Sequence, residues 1–79
     1  YRIYPNPTSG SFTIEQTGDA PTQSLDVDVF GTVGGKVLSV SLSGGPKHDL
    51  SIKGNPPGVY FVKLTTGEKV QTIKIILTN

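Results

Sequence analysis

On either side of a polar bend between Gly58 and Leu77 apolar side chains recur at every second position, and that period of two is the strongest constraint on what this chain can fold into. From Val59 to Leu64 the residues are β-branched, aromatic or aliphatic apart from Lys63, a composition that suits a pleated strand. Alternation sends Tyr60, Val62 and Leu64 to one face and Val59, Phe61 and Lys63 to the other. The charge on the second set assigns the first set to the core. Thr65-Thr66-Gly67-Glu68-Lys69 is a polar bend of hairpin length, with Gly67 able to take a positive φ. Ile73, Ile75 and Leu77 then alternate again, with Lys74 and Ile76 on the reverse side. The pattern predicts a C-terminal β-hairpin that supplies much of the core.

The same period runs through the rest of the chain. Tyr1-Arg2-Ile3-Tyr4 is a short strand, halted by Pro5-Asn6-Pro7-Thr8-Ser9-Gly10. Two prolines fix φ and delete two backbone donors, so Pro5, Asn6 and Pro7 form a rigid turn, read here as the start of the domain. Ser11 to Gln16 is a strand with Phe12 and Ile14 inward, and Thr17 to Ser24 a loop. Leu25-Asp26-Val27-Asp28-Val29-Phe30 alternates most cleanly, with Leu25, Val27 and Val29 inward and Asp26, Asp28 and Phe30 outward. Gly31 to Gly35 is a turn. Lys36 to Leu42 is a strand with Leu38, Val40 and Leu42 inward, Gly44-Gly45-Pro46 breaks it, and His48 to Ile52 is a short strand carrying Leu50 and Ile52.

About seven short strands, separated by turns at the ~8–12-residue spacing of all-β folds, predict a small immunoglobulin-like antiparallel β-sandwich. The chain lacks the cysteine pair and tryptophan of antibody domains, and a small Greek-key barrel is the alternative. No window carries a helical period.

Seventy-nine residues make a single domain, 1–79. A chain this short buries only ~60% of its unfolded surface, and without cysteines it must rely on near-complete sheet pairing and packing. The formal charge of +1 is scattered, which argues against nucleic acid as a partner. No apolar run approaches the ~20 residues of a transmembrane segment. The absence of methionine marks the chain as an expected fragment or processed product, with another domain in front of it.

No cluster in the sequence points to catalysis or a cofactor. His48 is the one histidine, and Asp49 beside it falls on the opposite strand face, where it cannot orient the imidazole of a Ser-His-Asp triad. One histidine and no cysteine build no metal cluster. Asp26 and Asp28 share a face and make half of a calcium site at most; a solvated face pairing with lysines such as Lys63 is the favoured reading. Gly35-Lys36 fails as a phosphate loop, since Phe30 and Val37 stand where the pattern needs Gly and Ser or Thr. Proline in Asn6-Pro7-Thr8 excludes glycosylation there. The outward apolar residues Phe30, Val59, Phe61 and Ile76 are more informative, because a contiguous group of that kind marks an interaction surface.

Tyr4-Pro5-Asn6-Pro7-Thr8 near the start, Gly58-Val59-Tyr60-Phe61-Val62-Lys63-Leu64 near the end, and a last strand with Lys74 before Ile75-Ile76-Leu77 closely resemble the C-terminal sorting domain, type A, of the type IX (Por) secretion system. Val27-Asp28-Val29-Phe30, leading through glycine to Lys36-Val37, looks like that family's strand-turn-strand section. The turn Gly31-Thr32-Val33-Gly34-Gly35 departs from the pattern in being less polar. The resemblance spans nearly the whole chain, and it implies an immunoglobulin-like fold and an address label in place of an enzyme, with no cofactor. It implies that such a domain follows a cargo, engages the outer-membrane type IX machinery from the periplasm, and is removed by a sortase-like peptidase that cuts before Tyr1. The cargo then goes to the cell surface or the medium. By position Gly58, Tyr60, Phe61, Lys74, Ile75, Ile76 and Leu77 match the family's recognition segments, with Pro5, Asn6 and Pro7 as its turn motif. Structural roles compete at each: Gly58 for backbone freedom, Tyr60 for packing, Lys74 as a charge that blunts a sheet edge. The rival from another class is a carbohydrate-binding or adhesion module of a secreted enzyme, which would need an exposed aromatic platform.

Overall fold

The period of two becomes seven antiparallel strands in a computed structural model that describes residues 1–17, 24–32, 34–43, 46–67 and 69–78. They are β1 (Arg2–Tyr4), β2 (Ser11–Glu15), β3 (Leu25–Gly31), β4 (Lys36–Leu42), β5 (Lys47–Ser51), β6 (Gly58–Thr66) and β7 (Lys69–Leu77). The expected loop at Thr17 to Ser24 and the Gly44-Gly45 break fall largely outside the described residues.

Two sheets form. The smaller has the order β1-β2-β5 and the larger β4-β3-β6-β7. Their apolar faces meet in one core: Ile3, Phe12, Ile14 and Ile52 come from the small sheet and its flank, and Leu25, Val27, Val29, Tyr60, Val62, Leu64, Ile75 and Leu77 from the large one. The inward sets of β2, β3 and β6 are those the alternation picks out, as are Ile75 and Leu77 of β7, while Ile73 is half-buried. Leu38, Val40 and Leu42, also expected inward, are only half-buried. β4 lies at the edge of its sheet, where the covering layer runs out.

The C-terminal hairpin is tighter than the five-residue bend suggests. β6 and β7 pair all the way to Thr66 and Lys69, and Gly67 turns the chain with φ of 57°. At the other end of the large sheet, β3 and β4 change register between Val29 and Phe30, so that Phe30 faces Lys36 while Val29 faces Leu38. Val37 is the extra residue of a bulge. The bulge turns the Lys36 side chain to the solvent face, where its ammonium lies 5.7 Å from the centre of the Phe30 ring.

The small sheet is stitched on its solvent face by one acid between two bases. Glu15 stands opposite Arg2 on β1 and Lys47 on β5. Its carboxylate accepts from Arg2 Nε at 2.6 Å and meets Lys47 Nζ at 3.4 Å. The Arg2 hydrogen bond, aided by the charges of Arg2 and Lys47 and opposed by desolvation, holds the Glu15 pKa below the ordinary glutamate value. A carboxyl whose folded pKa is lowered stabilises the fold above its unfolded pKa and loses that contribution as pH falls through the folded value. Glu15→Gln should therefore melt below wild type at neutral pH, and the two melting curves should converge as pH falls past the folded pKa. Melting temperatures recorded between neutral pH and about pH 3 check this, and a gap that stays constant would show that the carboxylate's charge contributes nothing.

Candidate functional site

Apart from Gly58, the residues that the resemblance singles out separate into two groups by burial. Tyr60, Ile75 and Leu77 are buried in the core, at 5%, 0% and 4% exposure. The Tyr60 hydroxyl donates to the Pro56 carbonyl. Phe61, Lys74 and Ile76 stand on the solvent face of the large sheet. Gly58 opens β6 with φ of 151°, a backbone conformation that L side chains rarely adopt.

The register answers whether the outward apolar residues touch one surface. Phe30 on β3 pairs with Phe61 on β6, and Val59 on β6 pairs with Ile76 on β7. Val59 and Phe61 are two apart on one strand and share its face. Phe30, Phe61, Val59 and Ile76 therefore form one continuous patch at one end of the outer face. Phe61 and Ile76 are the more exposed members, at 37% and 38%. Lys74 lies opposite Phe61 and Lys36 covers Phe30, so the apolar centre has a basic rim.

The other end of the same face is polar and self-satisfied. Ser41 Oγ donates to Asp26 at 2.7 Å and Ser39 Oγ donates to Asp28 at 2.8 Å, each across the β3–β4 pair. Lys36 Nζ is 3.3 Å from Asp28, and Lys63 stands opposite it on β6. The Ser39 hydrogen bond, followed by Lys36, lowers the Asp28 pKa. Asp28 is held by a serine and by lysines of neighbouring strands, and Asp26 by a serine alone. Among the described residues no group of three or more His, Cys, Asp or Glu side chains could hold a metal ion. His48 is half-buried opposite Ile14, while Asp49 accepts from Thr13 Oγ1 at 2.7 Å. The two do not form a catalytic pair.

The Pro5-Asn6-Pro7-Thr8 turn does more than start the domain. It lies along the outer edge of β7 as a strap. Asn6 Nδ2 donates to the Lys74 carbonyl at 2.9 Å, and the Ile76 amide donates to Asn6 Oδ1 at 3.0 Å. The Thr8 amide donates to the Ile76 carbonyl and the Thr78 amide to the Thr8 carbonyl, both at 2.8 Å. Thr8 and Leu77 form an isolated parallel bridge. The peptide bonds Tyr4–Pro5 and Asn6–Pro7 are both cis. Farther along the strand, the Gln71 side chain and the Tyr1 amino end lie 3.4 Å apart. Sequence reasoning missed this contact. The one available sign was an asparagine held between two prolines, the residue type whose side chain best imitates a peptide unit.

Among the described residues no helix is long and apolar enough to cross a membrane. No curated protein matches the chain significantly. A family model described as the secretion system C-terminal sorting domain matches residues 2–78.

Proposed function

The chain belongs to the secretion system C-terminal sorting domain family of the type IX system, and from that premise we propose that it is read through the outer face of its large sheet. Its role is that of a C-terminal sorting signal, carried by the match over residues 2–78. The domain acts outside the cytoplasm and interacts with the secretion machinery, as membership of the family implies. It works as an address and not as a catalyst.

The finer reading is ours. A cargo precedes the domain, the domain carries it through the periplasm to the outer-membrane machinery, and a sortase-like peptidase then cuts upstream of Tyr1. The cargo ends on the cell surface or in the medium. The two sheets close over their shared core as an immunoglobulin-like sandwich. Recognition uses Phe61, Lys74 and Ile76 together with Phe30 and Val59, because these side chains form the apolar patch with a basic rim. Tyr60, Ile75 and Leu77 support that face from beneath, since buried side chains offer a partner nothing to touch. Gly58 sets the backbone that enters β6, and Pro5, Asn6 and Pro7 keep β7 in place.

The test fuses residues 1–79 to a periplasmic reporter in a host that has the type IX machinery. The wild-type fusion should carry the reporter to the surface or medium. Lys74→Ala, Ile76→Ser and Phe61→Ser should leave most of it in the periplasm while melting close to wild type, because surface substitutions usually change stability by no more than about 0.5 kcal/mol. A wild-type fusion that stays in the periplasm of a competent host would remove the sorting role. Outward variants that are exported normally would remove the outer face from recognition and leave the sorting role standing.

A further inference from the structure

In an antiparallel strand the N–H and C=O of one residue point to the same side, and the side alternates from residue to residue. Both groups of Ile76 meet the strap, so Ile75 and Leu77 turn theirs to β6, and the even positions from Val70 to Thr78 make up the outer edge of β7. The strap satisfies that edge at the Lys74 carbonyl, at both groups of Ile76 and at the Thr78 amide. Asn6 takes the place of a strand residue there, since its amide carries the donor and the acceptor of a peptide unit. Pro5 and Pro7 on either side have no N–H to offer a further strand, so the sheet ends at the strap.

We propose that the strap is an edge guard, and that β7 of a second copy of this chain is the strand it keeps out. β7 is one of the two longest strands, nine residues from Lys69 to Leu77, and so presents a long ladder once uncovered. It is also complementary to itself. Two copies paired antiparallel about Ile73 set Val70 opposite Ile76 and Thr72 opposite Lys74, with their even-numbered edges facing each other. Val70 and Ile76 are exposed apolar side chains that would cover one another in that register, and the two Lys74 residues stand diagonal to each other and not directly opposite. The strap's grip on Lys74 to Thr78 prevents this pairing.

Amide hydrogen exchange and sedimentation on the whole chain test the guard. In dilute Asn6→Ala the Ile76 amide should exchange about tenfold faster than in wild type or more, with the Val62 amide unchanged. As concentration rises the variant should dimerise and regain protection at Ile76, while wild type stays monomeric. Asn6→Asp keeps the acceptor for the Ile76 N–H and should leave that amide protected. Asn6→Ala combined with Thr72→Lys sets a second lysine opposite Lys74 of the other copy and should exchange fast at Ile76 without dimerising. Undiminished protection in Asn6→Ala, or loss of protection in Asn6→Asp, would overturn the guard. An Asn6→Ala chain that stays monomeric at every concentration, or a double variant that still dimerises, would overturn pairing through β7.

Discussion

Phe12→Ala should lower the free energy of unfolding by about 3–5 kcal/mol, the usual cost of emptying a buried aromatic site. Phe12 lies in β2, the middle strand of the small sheet, and is 2% exposed. Its ring reaches into a core shared with the large sheet. At roughly 0.05–0.15 kcal/mol per residue a chain of this length holds about 4–12 kcal/mol in all, so the substitution takes a large fraction of it. Thermal unfolding should move down by roughly 12–40 °C, since each kcal/mol is worth about 4–8 °C in a small domain. The transition should also stay single. Methyl signals of Ile14 in the small sheet and Ile75 in the large one should disappear together, because neither sheet has a separate core to fall back on. A loss below about 1 kcal/mol, or two separated transitions, would mean that the sheets are stabilised independently.

Thr8→Val tests the root of the strap. Thr8 is 1% exposed, and its hydroxyl donates to the Ser11 carbonyl at 2.6 Å while accepting the Gly10 amide at 3.1 Å. Valine keeps the shape and removes both bonds. The buried Gly10 N–H is then orphaned, at about 1–3 kcal/mol, with a smaller loss at Ser11, whose residue is exposed. Gly10 has no freedom to move away: its φ is 139°, and its carbonyl accepts the Ile52 amide at 2.9 Å. We expect a loss of about 2–3 kcal/mol from Thr8→Val. Thr8→Ser keeps the hydroxyl and gives up a methyl group, so it should cost only about 0.8 kcal/mol. Urea titrations of the three proteins check the order wild type, serine, valine. A valine variant as stable as the serine variant would show that packing, and not the hydroxyl, holds this turn.

Much of the fold was legible because a half-buried strand repeats at two and leaves its mark on every residue. Leu25, Val27 and Val29 against Asp26 and Asp28 need no partner to be read, and the same holds for Tyr60, Val62 and Leu64. The candidate patch was legible only as a set. Phe30, Val59, Phe61 and Ile76 each face outward by parity, but their adjacency depends on β3 lying beside β6 and on the register of that pair. Neither is a property of any local stretch. The bulge at Val37 was hidden for a related reason: a glycine-rich turn tolerates several registers, and the Lys36 contact with Phe30 exists in only one of them. The strap was hardest of all. A proline-rich turn carries no period, and its partner strand lies at the far end of the chain.

That separation bears on the order in which the molecule assembles. Asn6 is 68 positions from Lys74 and 70 from Ile76, so the strap's bonds are among the most non-local the chain can make. Contacts of that span form slowly, because nearly the whole chain must be gathered before they return any free energy. The β6–β7 hairpin is local and can form early; the strap can close only over a finished β7. A chain emerging from its N-terminal end would carry Asn6 without its partners until Lys74 and Ile76 have followed. Closure of the strap thus reports that β7 has been made as far as Ile76, and a product cut short before Lys74 would leave Asn6 without its partners.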